Sequence, residues 1–105
     1  MTFEEKAVPI LTDLARQLLE RREYLILRSV ADWLAAFSAG DWKNLSKEEQ
    51  IHNLHMMRDS IPVRGMGEDR SLNKYSGPFT ICVANEILRL KTGVDVDHLP
   101  YPRNT

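Results

Sequence analysis

The segment 62–78 constrains the fold of this chain most, because its glycines and prolines predict the end of one helix and the start of another. It holds three of the five glycines and two of the five prolines of the sequence. A connection longer than roughly 12–15 residues is uncommon in a compact domain and is usually functional or disordered. Met66, Leu72 and Tyr75 give this segment apolar groups that a solvated linker lacks. We therefore predict a long loop over 62–78 and take it as the first candidate for a working surface.

Length and composition predict one ordinary globular domain over residues 1–105. A chain of 105 residues leaves no room for a second domain. Its content of 43% hydrophobic and 28% charged residues is typical of globular proteins. The formal net charge is −1, and the arginines are scattered among acidic residues. Because nucleic-acid binders usually carry a basic face, this distribution disfavours nucleic acid as a partner.

The cysteine count and the hydropathy pattern indicate a cytoplasmic protein. Cys82 is the single cysteine, so the chain cannot form an internal disulfide or a cysteine zinc site. No apolar run approaches the roughly 18–20 residues of a membrane span, so we expect no membrane association. The start of the chain, 1–6, is acidic and amphipathic, unlike the basic start of a signal peptide.

Two signals compete at the start of the first helix. Thr2 and Glu5 have the spacing of a capping box, which predicts a helix beginning near Phe3. Pro9 lies inside the same pattern, where it removes a backbone hydrogen bond and clashes with the preceding turn. We favour a stable helix that begins near Val8 and is preceded by a loosely attached turn.

A second apolar block follows without an intervening glycine or proline. Its residues are Leu25, Ile26, Val30, Trp33, Leu34 and Phe37. Gly40 is well placed to end this helix in a left-handed conformation. One helix over both blocks would have about 30 residues, beyond the usual 8–20, so we place a break near Arg22.

Two further helices complete the predicted fold. Ser46 and Glu49 form a second capping box, and the third helix runs from there to about residue 60. The fourth opens at 76–78, with proline in its first turn, and ends at Gly93. We expect the tail 94–105 to be extended, because residues before its prolines are pushed out of the helical region.

The predicted fold class is therefore all-α. We expect an irregular bundle of three to four helices with one long loop, bounded by glycine and proline, between the last two helices.

Two histidines raise a metal-dependent alternative. His52 and His55 lie three residues apart on the third helix, with Glu48 one turn earlier. Zinc sites on helices use His-x3-His spacing with further ligands, and no fourth ligand is evident here. A polar helix face is the main interpretation, so we predict no cofactor. A small enzyme or metal-dependent protein using His52 and His55 remains the alternative, and a phage or DNA-associated regulatory protein is a third class.

Other candidate motifs have plainer structural interpretations. Gly65 and Gly67 lack the preceding strand and third glycine of a dinucleotide loop, so they predict two turns with positive φ. Cys82 lies among apolar neighbours and is interpreted as a packing residue. Trp42 follows Gly40 and covers the end of the bundle or acts as a binding hot spot, and both interpretations stay open.

One part of the sequence resembles a group of small uncharacterised bacterial helical proteins. Their pattern is a tryptophan on the second helix and, after the third helix, a turn reading roughly Gly-Gly-Met-Gly-Ser-Leu/Phe-Asn. Here 64–67 and 71–73 correspond to that turn, interrupted by the three-residue insertion 68–70, and Trp33 corresponds to the tryptophan. Some members of that group look like immunity proteins, which neutralise a toxin by binding it. The resemblance implies an interaction role and identifies no partner or catalytic residue.

Together these observations predict a non-enzymatic protein-protein interaction module, most concretely an immunity-like or antitoxin-like inhibitor that binds through the loop 62–78. The expected partner contacts are Arg64, Met66, Arg70, Tyr75 and Trp42. The residues expected to shape the loop are Gly65, Gly67, Asn73 and Gly77. Apolar stripes on helices serve the core of a dimer as well as that of a monomer, so a homodimer also stays open.

Overall fold

The computed structural model describes residues 2–61 and 72–94. These ranges form four α-helices: α1 (Phe3–Glu20), α2 (Tyr24–Ala39), α3 (Lys47–Ser60) and α4 (Asn73–Thr92), with a short 3₁₀ helix at Asp41–Asn44 between α2 and α3. The described residues contain no strand, which confirms the predicted all-α class. Among them, no helix combines the length and the apolar character needed to cross a membrane.

The first helix begins at Phe3, so the prediction of a start near Val8 is wrong. The backbone N–H of Glu5 donates to Thr2 Oγ1 at 3.2 Å, and the backbone N–H of Thr2 donates to Glu5 Oε1 at 3.1 Å. This reciprocal pair satisfies backbone donors that the helix end would otherwise leave unbonded. Pro9 lies inside α1. The capping box therefore holds the first turn of α1, although Pro9 removes a backbone hydrogen bond in the next turn.

The break between α1 and α2 confirms the prediction near Arg22. Arg22 has φ of 59°. This is a left-handed backbone conformation, which costs free energy for any residue other than glycine. At the other end of α2, Gly40 has φ of 79° and ends the helix as predicted. The capping box of α3 is also present: the backbone N–H of Glu49 donates to Ser46 Oγ at 3.2 Å.

The fourth helix begins at Asn73, five residues before Pro78, so the predicted loop over 62–78 is too long. Ser76 lies inside α4, is fully buried, and donates from its Oγ to the carbonyl of Leu72 at 3.3 Å. Sequence reasoning placed Pro78 in the first turn because that position needs no N–H donor. Gly77 precedes it without a Cβ to clash with the proline ring, and this allows the helix to continue through Pro78.

The bundle is organised around α1 and α4, which pack against each other. α2 packs on α1, and α3 packs on α4. The buried core consists of Phe3, Ala7, Leu11, Leu14, Leu18, Val30, Phe37, Trp42, Leu54, Met57, Ile61, Phe79, Val83 and Ile87. α2 and α3 pack on different central helices, and a cleft therefore remains between them.

Candidate functional site

An apolar cleft of about 260 Å³ separates α2 from α3, and we call it the α2–α3 cleft. Its lining is Ser29, Trp33, Ala36, Phe37, Trp42, Leu45, Asn53, Met56, Met57 and Ser60. The ring of Trp33 stacks on Phe79 of α4, with ring centroids 6.0 Å apart and planes 16° from parallel. This stacking fixes the orientation of a side chain that is itself only half-buried. The cleft therefore has a rigid aromatic wall.

The opposite wall of the cleft carries two consecutive methionines. Met57 is 5% exposed and packs in the core, whereas Met56 is 52% exposed. Methionine is unbranched and polarizable, so it adapts to irregular neighbours and is frequent at binding surfaces. Met56 therefore places an adaptable apolar group at the rim of the cleft, facing a fixed tryptophan across it.

One end of the cleft lies beside the point at which the chain leaves α3. Ser60 lines the cleft and ends α3, and Ile61 is buried directly after it. The predicted contacts Arg64, Met66 and Arg70 follow at once in the sequence. They lie outside the described residues, as do Gly65 and Gly67.

The structure places Trp42 in the core at one end of the bundle. This side chain is 4% exposed and packs with Phe3 and Phe37, with centroids 5.5 Å from each ring. The carbonyl of Trp42 also accepts a hydrogen bond from Gln50 Nε2 at 2.9 Å. Trp42 thus covers the end of the bundle, and only a small part of it remains at the surface, where it lines the α2–α3 cleft. Phe3, Phe37 and Trp42 together are called the aromatic end below.

The remaining predicted residues near the loop belong to α4. Tyr75 is half-buried and packs against the core, and Asn73 is the first residue of the helix. Gly77 lies within α4, and a Cβ placed on it would meet no atom within 4 Å outside its chain neighbours and the nearby backbone of its own helix. The prediction that Asn73 and Gly77 shape a loop is therefore wrong.

A second concave surface of about 510 Å³ lies at the aromatic end, between the start of α1 and the last turns of α4. Its walls are mainly charged, including Glu5, Lys6 and Lys43. Glu86 is 7% exposed and accepts both hydrogen bonds of a two-point ion pair from Arg89, at 2.8 and 2.7 Å. The carboxylates of Glu5 and Glu86 thus accept hydrogen bonds from other residues of the protein, Thr2 and Arg89.

The histidines are not arranged as a ligand set in the described part of the chain. His52 is exposed, while His55 Nδ1 lies 2.9 Å from a guanidinium nitrogen of Arg58. A guanidinium can only donate, so Nδ1 accepts that bond and is occupied. Within residues 2–61 and 72–94, no three His, Cys, Asp or Glu side chains are grouped so that they could hold a metal ion.

Cys82 is half-buried and packs against the core. Burial raises the pKa of its thiol, and this effect outweighs the nearby positive charge of Lys6. The thiol is therefore the neutral, weakly nucleophilic form at neutral pH. This agrees with the interpretation of Cys82 as a packing residue.

Comparison with known proteins adds no family to this description: no protein-family model, no curated protein and no solved structure matches the chain. Function must therefore be argued from the surfaces of the molecule. The α2–α3 cleft escaped sequence reasoning because Trp33, Phe37 and Met57 have the helical spacing of core residues. Met56 is the sequence feature that indicates the cleft, because it adds a second apolar residue beside Met57 on a largely polar helix.

Proposed function

We propose that this protein is a non-enzymatic inhibitor of the immunity or antitoxin kind, which binds another protein at the α2–α3 cleft and the adjoining segment 62–71. The observation that supports this function is the open apolar cleft between a fixed tryptophan and an exposed methionine. Exposed apolar groups beside preformed aromatic side chains are typical of binding hot spots.

The size of the cleft favours part of a protein over a whole small molecule. Pockets for small molecules and cofactors usually have about 300–1,000 Å³, whereas this cleft has about 260 Å³. That volume accommodates one or two apolar side chains. Each such side chain would contribute roughly 1.5–3 kcal/mol when fully buried. A partner that inserts one or two side chains therefore fits the cleft.

The larger groove at the aromatic end is the weaker candidate. Its volume of about 510 Å³ falls within the range for small molecules. Ligand pockets are mostly apolar with a few free polar groups, but here the carboxylates of Glu5 and Glu86 are already engaged with Thr2 and Arg89. A ligand would have to compete with those hydrogen bonds.

The proposal keeps part of the interaction surface predicted from the sequence. Arg64, Met66 and Arg70 follow in sequence after Ser60, which lines the cleft. Arginine beside apolar anchors is a common composition for the centre of an interface. Met56 and Trp33 are added to the predicted contacts, and Trp42 keeps only the small part that lines the cleft.

Affinity capture from a lysate of the native host tests this function. The bait would be the wild-type chain, Met56→Asp, or Ile81→Asp as the matched control. Met56 is 52% exposed in the cleft and Ile81 is 63% exposed on α4 outside it, so both changes add one surface charge. We expect wild type and Ile81→Asp to retain one protein that Met56→Asp loses.

The captured protein is then purified and its Kd is measured with each bait. A change of at least 10-fold for Met56→Asp corresponds to about 1.4 kcal/mol, the scale of one buried apolar contact. Equal Kd values for the three baits, with equal melting temperatures, would remove the cleft from the interface.

A further inference from the structure

The outward face of α2 carries a regular row of five residues. Leu25, Arg28, Asp32, Ala35 and Ala39 are all exposed, and they follow one another at alternating spacings of three and four. That spacing is the a and d pattern of helices that pair along their length. Leu25 is 88% exposed, the most exposed large apolar side chain among the described residues. We call this row the outer α2 row.

The outer α2 row lies on the side of the helix opposite the core. Val30 and Phe37 are the buried residues of α2, and each residue of an α-helix is turned about 100° from the one before it. On that geometry Asp32 and Ala39 point about 160–200° away from Val30. The row is therefore not part of the packing of α2 on α1.

We propose that α2 pairs with α2 of a second copy of this chain, antiparallel about a two-fold axis that passes level with residue 30. In this register Leu25 of one copy lies level with Ala35 of the other, and Arg28 lies level with Asp32. The same contacts recur on the other side of the axis, as an isologous interface requires. This inference concerns a different face from the α2–α3 cleft and does not depend on the proposed function.

Both size and charge favour this register. Leucine, the one large apolar residue of the row, lies level with the small side chain of Ala35, so a knob faces a shallow hole. Each arginine faces an aspartate of the other copy, which gives two opposite-charge pairs. A parallel pair would instead set Arg28 against Arg28 and Asp32 against Asp32. Like charges in register select against that arrangement.

The interface consists of one pair of helices, so it belongs at the small end of protein interfaces. The dimer is therefore expected to be weak, and its measurement must extend to chain concentrations of about 1 mM. Sedimentation equilibrium of the purified full chain over that range gives the dissociation constant. We expect a reversible monomer–dimer equilibrium without larger species, because a two-fold interface closes on itself.

Charge reversal tests the register directly. Arg28→Asp places like negative charges at both layers, and Asp32→Arg places like positive charges there. Each variant alone should weaken dimerisation at least about 10-fold. An equimolar mixture of the two variants restores opposite charges at both layers, so it should form a heterodimer. The double variant Arg28→Asp/Asp32→Arg should likewise dimerise to within about 3-fold of wild type.

Arg16→Asp is the control for charge alone, since Arg16 is an exposed arginine on α1 outside the row. It should leave the dissociation constant unchanged, and circular dichroism at low concentration checks that every variant is folded. A wild-type chain that stays monomeric at about 1 mM overturns the proposal. So do two single variants that dimerise as wild type does, or a mixture that gains nothing over its components.

Discussion

The helices α1 and α4 both contain a proline near their start, but their first turns are held in different ways. α1 has the capping box of Thr2 and Glu5, and the buried ring of Phe3 packs 5.7 Å from Phe37. α4 has no side-chain cap at Leu72. Its early turns are instead held by tertiary packing, through the buried side chains of Ser76 and Phe79.

The residue before each proline differs as well. Val8 precedes Pro9, whereas Gly77 precedes Pro78. A side chain before proline clashes with the proline ring in the helical conformation, and glycine avoids this clash. α1 therefore tolerates the less favourable Val8-Pro9 pair, because its first turn has a capping box and the packed ring of Phe3. α4 has a more permissive dipeptide, and its start depends on packing without a side-chain cap.

This difference separates the two ends of the molecule. The start of α1 lies at the aromatic end, where three rings and a capping box fix the chain. The end of α3 lies at the α2–α3 cleft, because Ser60 lines it, and the start of α4 follows the segment 62–71 in the sequence.

Phe3→Ala should have the largest effect. Phe3 is 5% exposed, and truncation of a buried phenylalanine typically costs about 3–5 kcal/mol. Leu72→Ala, the corresponding change at the half-buried start of α4, should cost about 1 kcal/mol. Chemical denaturation gives both values. A cost below 1 kcal/mol for Phe3→Ala would show that the first turn is loosely attached after all.

Replacing each proline should stabilise the protein, and Pro9 more than Pro78. Alanine restores a backbone donor toward the carbonyl four residues earlier, offset by greater freedom of the unfolded chain. We expect a gain of about 2 kcal/mol for Pro9→Ala, which also removes the clash with Val8, and about 1 kcal/mol for Pro78→Ala. Thermal melts would decide the order, and a larger gain at Pro78 would contradict this explanation.

Gly77→Ala should depend on whether Pro78 is present. In the wild type, the higher helix propensity of alanine is opposed by the clash with the proline ring, so the net change should be near zero. In the Pro78→Ala background the same change should gain about 1 kcal/mol. A double-mutant cycle measures this coupling, and strictly additive changes would show that glycine serves another purpose.

Thr2→Ala should cost about 1 kcal/mol, the usual effect of removing a capping side chain. Ser46→Ala at the start of α3 is the matched change, because the two boxes have the same geometry. Similar losses in chemical denaturation are expected from both. A loss confined to Ser46→Ala would mean that the aromatic end holds α1 without help from its cap.

Acid should weaken the starts of α1 and α3 slightly. The backbone N–H of Thr2, followed by its hydroxyl, lowers the pKa of Glu5, and Ser46 lowers the pKa of Glu49 in the same way. A lowered carboxyl pKa contributes stability that is present above the unfolded value, about 4.3, and is lost as the pH falls through the folded value. An NMR titration of the carboxyl carbons should show the pKa of Glu5 returning only part of the way toward the ordinary value in Thr2→Ala, since the backbone N–H of residue 2 remains, with Glu49 unchanged as the internal control.

Local signals in the sequence predicted most of the helix boundaries. Both capping boxes, the break near Arg22 and the end at Gly40 depend on the conformations of a few neighbouring residues. The two errors have one cause: proline was interpreted as the beginning of a helix at both Pro9 and Pro78. Whether a helix extends past a proline depends on what packs against its first turn, and that packing is a tertiary property.

The candidate site was less accessible to sequence reasoning. The position of Trp42 after Gly40, outside the apolar stripe of α2, suggests exposure, but the chain turns there and packs its ring against both Phe3 and Phe37. Trp33 and Met57 lie at the helical spacing of core residues, and both do pack in or against the core. They also line the cleft. The gap between α2 and α3 arises because each packs on a different central helix, and no local pattern encodes that arrangement.

The most direct test of the proposed site is photo-crosslinking in the native host, with a photoreactive residue at Met56 or at Lys43. Met56 is at the rim of the cleft, and Lys43 lines the groove at the aromatic end. We predict one discrete protein adduct from position 56 and none from position 43. An adduct from position 43 with none from position 56 would place the partner at the aromatic end and contradict the proposed site.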